Sequence, residues 1–371
     1  MSETERELPY VPDEWSEAVN SIANSSIMSA VPPVALVCGP KNSGKSTFSR
    51  VLVEVLLQRY KKIAYLDTDV GQPEFTAPGF ISLTVLDKSI LDSDMSIPCV
   101  KTPDRCFFFG DLSPKRDPKA YLRYIFTLYD YYQLHFSQSN ESKTGLPLVV
   151  NTPGWVKGIG YDMLVDMLRY VSPTHVVKVN ISAETKNLPA GLFWLDGNQE
   201  ETINLMEIGS AYRDSFNRSV LIQKDTRLMR DMRIIAYFKQ CIRDKEVGTI
   251  KELAHELASH TPYEVPISSI KIEHLHFQIP SSEVLYSLNA TIVGLGVSSD
   301  VFEDLPPCVG LGLVRGIDME KGVLYVITPV AEHILQKVDL ILQGCIQIPT
   351  CLLEVREYRS PYISTNVLAV S

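Results

Sequence analysis

Eight residues near the start of the chain, Gly39-Pro40-Lys41-Asn42-Ser43-Gly44-Lys45-Ser46, constrain its fold more than any others. An apolar run, Val34-Ala35-Leu36-Val37-Cys38, leads into them, and a segment with helical spacing, Ser46 to Tyr60, leads out. In that segment Phe48, Val51, Leu52, Val55 and Leu56 fall at i, i+3, i+4, i+7 and i+8, which gives one buried face. Lys62-Ile63-Ala64-Tyr65-Leu66 follows as a second strand candidate. A strand, a crossover helix and a further strand predict a βαβ unit within a parallel sheet.

The loop itself has the pattern G-x-x-x-x-G-K-S. Glycines are needed there because the backbone must wrap an anion and point several N–H groups inward. A Gly-rich turn with no ligand is the plain alternative, but the strand before it and the amphipathic helix after it supply the context of a phosphate-binding loop. Residues 39–47, through Thr47, are therefore expected to hold a nucleoside triphosphate. Lys45 would reach the β and γ phosphates, the Ser46 hydroxyl would ligate magnesium, and the following helix aims its positive end at the anion.

Three further segments carry chemistry. Leu66-Asp67-Thr68-Asp69-Val70-Gly71-Gln72 follows the second strand. Strand alternation would put Asp67 and Asp69 on one face at the C-terminal end of a parallel strand, where open α/β sheets bind ligands. Beside a magnesium triphosphate, one acid would support the metal shell and the other accept a proton from an attacking hydroxyl. Helix capping or turn formation by aspartate is the ordinary alternative. Val150-Asn151-Thr152-Pro153-Gly154-Trp155 has the spacing of the D-x-x-G switch of G proteins, but Asn151 stands where the acid belongs. No N-K-x-D follows, and Thr185-Lys186-Asn187 does not fit it, so guanine specificity lacks its residues. Trp155 could stack on a nucleobase or simply pack as core. Last, Arg227, Arg230 and Arg233 recur every third residue, roughly along one side of a helix. Such a fork can close over transferring phosphoryl oxygens; a solvated basic face would look the same.

Composition narrows the partners. The chain has 371 residues, 45% apolar and 21% charged, with a formal net charge of -9. That balance argues against coating nucleic acid over the whole surface, though a local basic cleft remains compatible. Seven cysteines without a C-x-x-C pair suit a reducing compartment. His274 and His276 alternate on an expected strand and read as a solvated face rather than a zinc pair. MSETERELPY is neither a signal nor a transit peptide, and no apolar run approaches the roughly 18 residues of a membrane span, so an intracellular protein without membrane contact is expected.

Alternation continues beyond the first βαβ unit. Helices are expected over Pro118–Phe136, Tyr161–Tyr170 and Thr226–Cys241, strands over Leu146–Val150 and His175–Val179, and a polar loop over Ser137–Gly145. After about residue 246 one short helix, Ile250–Ser259, precedes strand-like pieces: Ile267–Ile279, Val284–Val297, Gly310–Val314, Val323–Val330 and Asp339–Leu353. Residues 318–322 read as a hairpin connection. The expected division is a polar N-terminal leader with little core (1–33), a phosphate-loop kinase domain (34–245) and a smaller C-terminal β-rich domain (246–371). The fold class is α/β, a P-loop NTPase parallel sheet flanked by helices.

With these residues assembled, the chain resembles the polynucleotide 5'-hydroxyl kinases of RNA processing, most of all the nucleolar branch that acts in pre-ribosomal RNA maturation. The matching text is Cys38 to Thr47, the run Asp67-Thr68-Asp69-Val70-Gly71-Gln72-Pro73-Glu74-Phe75-Thr76, Phe108 to Pro114, and Thr152 to Trp155. Arg315 to Asp318 and Leu324 to Pro329 extend it. The resemblance implies transfer of the γ phosphate of ATP to an RNA (or DNA) 5'-hydroxyl, with Mg2+. It places Asp69 and Gln72 in a D-x-x-Q motif at the metal and the accepting hydroxyl, and Thr152, Gly154 and Trp155 in a clasp on the RNA end. It puts Arg227, Arg230 and Arg233 in a lid region, leaves open which two form the lid pair, and makes Arg227 and Arg230 the catalytic candidates. It also implies a nuclear, nucleolar address and an endoribonuclease partner. Family members commonly carry a β-rich domain ahead of the kinase, whereas 33 residues precede Val34 here. Two other readings remain at this point: a catalytically silent ATP-binding assembly factor, and a GTPase-like switch that the missing N-K-x-D disfavours.

Overall fold

The computed structural model describes residues 11–28, 31–90, 101–137, 145–195, 203–211, 226–242, 247–298 and 305–353. Its first element is α1 (Asp13–Met28), within the stretch expected to be a polar leader. Trp15, Ala18, Val19, Ile22 and Ala23 are all buried. They sit at i, i+3, i+4, i+7 and i+8, one face of a helix. A stretch read as having little core of its own thus buries five side chains, while Asn20, Ser21 and Asn24 lie on the exposed face.

The phosphate-loop region folds as expected. β1 (Val34–Cys38), α2 (Lys45–Leu57) and β2 (Ile63–Asp67) form the βαβ unit. β3 (Phe80–Leu86) and β4 (Arg105–Phe108) follow, then α3 (Pro118–Tyr132), which runs into a wider turn over Gln133–Ser137. β5 (Leu148–Asn151), α4 (Ile159–Val171), β6 (His175–Asn180) and β7 (Asn204–Gly209) complete this series. The seven strands make one sheet of order β4-β3-β2-β5-β1-β6-β7. β1 pairs in parallel with β5 and β6, and β6 with β7; β3 and β4 pair antiparallel. β1, β2 and β5 are buried along their whole length. Uninterrupted apolar strands are what a parallel sheet covered on both faces requires. The expected polar loop, Ser137–Gly145, lies largely outside the described residues.

α5 (Thr226–Lys239) and α6 (Ile250–Ser259) come next. α6 opens with a capping box: the Thr249 side chain accepts from the Glu252 amide while the Glu252 carboxylate accepts from the Thr249 amide. β8 (Tyr263–Pro266), β9 (Lys271–His274), α7 (Val284–Leu288), β10 (Thr291–Gly296), β11 (Cys308–Asp318), β12 (Val323–Ile327), α8 (Glu332–Leu335), β13 (Leu340–Gln343) and α9 (Thr350–Leu353) follow. Six of these are strands of a second sheet, ordered β8-β12-β11-β10-β13-β9. The expected hairpin at residues 318–322 joins β11 to β12. The stretch expected as one strand over Val284–Val297 instead splits into α7 and β10.

Period-two alternation sorts this sheet's side chains between two cores. Val293, Val314, Leu324 and Ile341 face one cluster; Ile292, Leu313, Leu340 and Leu342 face the other, together with Phe238 and Leu257 of the helices and Phe80 and Phe108 of β3 and β4. Gly294 has no side chain because the Phe108 ring lies there: a Cβ would sit 2.6 Å from its Cδ1. Two compact units result. One is Met1–Leu66, Val85–Asp92 and Tyr129–Ile222; the other is Asp67–Thr84, Ser93–Leu128 and Gln223–Ser371.

Candidate active site

In the first unit, the loop after β1 takes the backbone its glycines permit. Gly39 has φ 144°, Gly44 φ 99° and Asn42 φ 61°. A Cβ on Gly39 would lie 2.3 Å from the Val179 carbonyl oxygen, so only glycine fits. Gly44 caps α2 with no side-chain hydrogen bond, which leaves the first-turn N–H groups to an anion. Lys45 is buried, and its Nζ donates to the Pro40 carbonyl at 2.8 Å within the loop. The Ser43 side chain is fully buried and its hydroxyl has no hydrogen-bond partner among the described residues. Ser46 stands in the first turn of α2, half-buried, beside exposed Thr47.

Residues 151–155 lie against this loop. The Thr152 hydroxyl donates to the Val37 carbonyl at 2.8 Å, and the side chain is buried. The hydroxyl ties the end of β5 to β1. Gly154 lies close against the loop, since a Cβ there would lie 2.6 Å from Lys41 Cα. Trp155 is half-buried and packs over Gly160, whose own Cβ would be 2.5 Å from that of Trp155.

The loop after β6 is fixed by two networks. The Asn187 amide donates to the Ile181 carbonyl at 2.8 Å and its oxygen accepts the Ile181 N–H at 2.9 Å. This side chain is spent on its own loop, in keeping with the absence of a guanine-reading motif. Lys178, 1% exposed, donates to the Pro189 carbonyl and to Glu207 Oε1 at 2.7 Å. The Lys178 ammonium, bonded to Glu207, holds that carboxyl below its ordinary value.

In the second unit, the acid loop departs from the strand geometry expected of it. β2 ends at Asp67, so alternation does not govern Asp69. Asp67 Oδ1 accepts the Asp69 N–H at 3.2 Å and its Oδ2 accepts the Glu74 N–H. Asp67 is 1% exposed, and both of its oxygens hold the loop. Asp69 Oδ1 accepts two N–H groups, from Gly71 at 3.0 Å and Gln72 at 3.1 Å. Asp69 and Gln72 are both half-buried, the pair on this loop that reaches the surface. The Tyr121 hydroxyl supports the loop from α3 through the Thr68 carbonyl at 2.7 Å.

α5 braces the same loop. Arg230 Nε donates to the Gly71 carbonyl at 3.0 Å, and buried Arg233 donates to the Glu74 carbonyl. The three arginines thus differ: Arg227 is exposed, Arg230 half-buried and Arg233 buried. Arg233 leaves the lid group, because its guanidinium is committed to the loop backbone. The Ser46 hydroxyl is an oxygen of the kind magnesium takes when phosphates and water complete its shell. Among the described residues no cluster of three or more His, Cys, Asp or Glu could hold a metal, and none of their helices is long and apolar enough to cross a membrane. β9 ends at His274, and His276 turns back at φ 71° to meet the Phe109 carbonyl rather than continuing a solvated strand face.

Sequence reasoning missed Glu14 and Trp15 of α1, although the Trp15-Ala18-Val19-Ile22 stripe was there to be read. It also missed the loop-bracing roles of Tyr121 and Lys178, for which no local pattern exists.

Residues 39–240 match the family model described as mRNA cleavage and polyadenylation factor CLP1 P-loop, and residues 258–349 match the NOL9-like C-terminal domain. The chain is 74% identical to polynucleotide 5'-hydroxyl-kinase NOL9 of Arabidopsis thaliana over the whole of both chains. It is 30% identical to the Homo sapiens NOL9 kinase over 90% of this chain and 52% of that one, so it spans about half the length of that relative. The solved structure of Clp1p with Pcf11p shares the fold, with TM-score 0.65 at 16% identity over 91% of this chain and 80% of that one. The chain belongs to the NOL9/GRC3 family of polynucleotide 5'-hydroxyl-kinases.

Proposed function

We propose that this chain transfers the γ phosphate of ATP to the 5'-hydroxyl end of RNA during pre-ribosomal RNA processing in the nucleolus. The observation that carries the phosphotransfer is the acid loop: Asp69 uses one oxygen to shape its own turn and is half-exposed, while Asp67 and two arginines fix that turn from behind. Such over-determined geometry is what a group that must meet a hydroxyl requires.

In this reading Lys45 and the N–H groups of residues 39–47 hold the triphosphate. Asp69 accepts the proton as the 5' oxygen bonds to the γ phosphorus, and the bond from γ phosphorus to the β–γ bridging oxygen breaks to release ADP. Magnesium bound with the triphosphate would be held by the Ser46 hydroxyl and would neutralise phosphate charge. Gln72 orients the acceptor, and Arg227 with the outer nitrogens of Arg230 balances charge on the transferring group. Gly154 and Trp155 take the RNA end. The division into a kinase part (34–245) and a C-terminal β-rich part (246–371) belongs to this reading, as does an endoribonuclease partner.

The test is transfer of labelled γ phosphate to matched 5'-hydroxyl RNA and DNA oligonucleotides. Wild type is expected to label RNA; Lys45→Ala is expected to label neither. ATP binding without transfer to any 5'-hydroxyl would leave the assembly-factor reading in its place.

A further inference from the structure

We propose that Trp15 is a positioning residue of the phosphate loop, through which α1 sets the affinity of that loop for the triphosphate. Two adjacent residues of α1 grip a single residue at the end of β7. Trp15 Nε1 donates to the Gly209 carbonyl at 2.7 Å, and Glu14 Oε2 accepts the Gly209 N–H at 3.0 Å. Together they fix both the position and the rotation of the helix. The far edge of the Trp15 ring then rests on the phosphate loop. A Cβ on Gly44 would lie 3.0 Å from Trp15 Cη2 and 3.3 Å from Cζ2. The same ring meets Phe48, one turn into α2, edge-on at 5.5 Å between centroids.

Gly44 is the residue that matters at this contact. It is the N-cap of α2, it lies in the left-handed region, and having no side chain it makes no capping hydrogen bond of its own to the helix. Glycine in that position is free to leave it, at an entropic cost to any ligand that needs the loop formed. The six-membered ring of Trp15 blocks one side of Gly44 and so preorganises the N–H groups that follow. Ordinary core packing would explain a buried tryptophan. It does not account for the paired hydrogen bonds to Gly209 that deliver the ring edge to the left-handed glycine at the start of α2.

The inference rests on nucleotide binding at this loop and not on transfer, so its test is direct titration of the full chain with magnesium ATP by calorimetry. Trp15→Phe keeps a ring beside Phe48 but lacks the atoms that reach Gly44 and the N–H that reaches Gly209. Its dissociation constant for ATP is expected to rise about fivefold or more, with kcat and the oligonucleotide KM within about twofold of wild type. Val19→Ala, on the same buried face one turn on, is the stability control: it lowers the unfolding midpoint and leaves ATP affinity unchanged. An ATP affinity of Trp15→Phe within about twofold of wild type overturns the proposal. So does a loss of affinity that simply follows the loss of stability in both variants. A wild-type chain that binds ATP but transfers nothing would refute the kinase reading while leaving this inference standing.

Discussion

Arg233 of α5 donates its guanidinium hydrogen bond to the Glu74 carbonyl and is only 8% exposed, although it belongs to a run of arginines that reads as a phosphate-binding fork. Its nearest arginine neighbour in the run, Arg230, makes the equivalent bond to the Gly71 carbonyl. The helix therefore holds the acid loop at two points. Arg233→Met should leave the Glu74 carbonyl buried without its donor, at a cost of about 1–3 kcal/mol by denaturant titration. Arg227→Ala, at an exposed position, should change stability by less than about 0.5 kcal/mol. That variant should instead lower kcat by roughly tenfold or more. Equal stability losses at both positions would contradict the distinction.

The two aspartates separate in the same way. An asparagine at position 69 keeps an oxygen to accept the Gly71 and Gln72 N–H groups, so the turn survives while the base is lost. Asp69→Asn should bind ATP normally, keep its unfolding midpoint and lose about 10²–10⁴-fold in kcat. At position 67 both oxygens accept backbone N–H groups, from Asp69 and Glu74. Asp67→Asn would turn an NH2 toward one of those donors, and should lower stability by about 1–3 kcal/mol. Its residual activity should exceed that of Asp69→Asn.

The Lys178–Glu207 pair gives a pH signature. Glu207 lies below its ordinary 4.5, first because of the hydrogen bond from Lys178. A carboxyl whose folded value is depressed contributes stability above its unfolded value and loses it as pH falls through the folded one. The unfolding midpoint of wild type should therefore exceed that of Glu207→Gln by a constant margin from about pH 7 to pH 5.5 and converge with it below about pH 4.5. A margin that persists at low pH would mean that charge is not what Glu207 contributes.

These predictions mark what the sequence could and could not disclose. The phosphate loop was legible because its chemistry is local: Gly39, Gly44 and Lys45 meet one another within a single turn. Asp69 was legible as a candidate, but the bonds by which Asp67 holds the loop were not, because alternation stops where a strand stops and Leu66-Asp67-Thr68 does not announce that end. The arginines show the same limit. Three-residue spacing states that Arg227, Arg230 and Arg233 share a side of α5, and says nothing of the Gly71 and Glu74 carbonyls more than 150 residues earlier that take up two of them. α1 was hidden by composition, since Asn20, Asn24, Ser25 and Ser26 dilute the apolar stripe.

Gly154 tests whether the loop and the 151–155 segment act together. A Cβ there would fall 2.6 Å from Lys41 Cα and 2.6 Å from its backbone nitrogen, so the phosphate loop must yield. Gly154→Ala should raise the ATP KM about tenfold while costing the roughly 1–3 kcal/mol typical of overpacking. If ATP KM is unchanged, the loop has room that its geometry denies.

Trp155 separates the acceptor from the nucleotide. It is half-buried, with one part of the ring held over Gly160 at the start of α4. An indole fixed in this way and still open to solvent can stack on a base of any identity, a contact worth about 1–3 kcal/mol. Trp155→Ala should accordingly raise the KM for a 5'-hydroxyl oligonucleotide about tenfold, alike for purine and pyrimidine 5' ends. The ATP dissociation constant should stay within about twofold. Phenylalanine, which retains a π face, should recover most of the loss. A tryptophan that only packed against α4 would move the unfolding midpoint in Trp155→Ala and leave the oligonucleotide KM where it was.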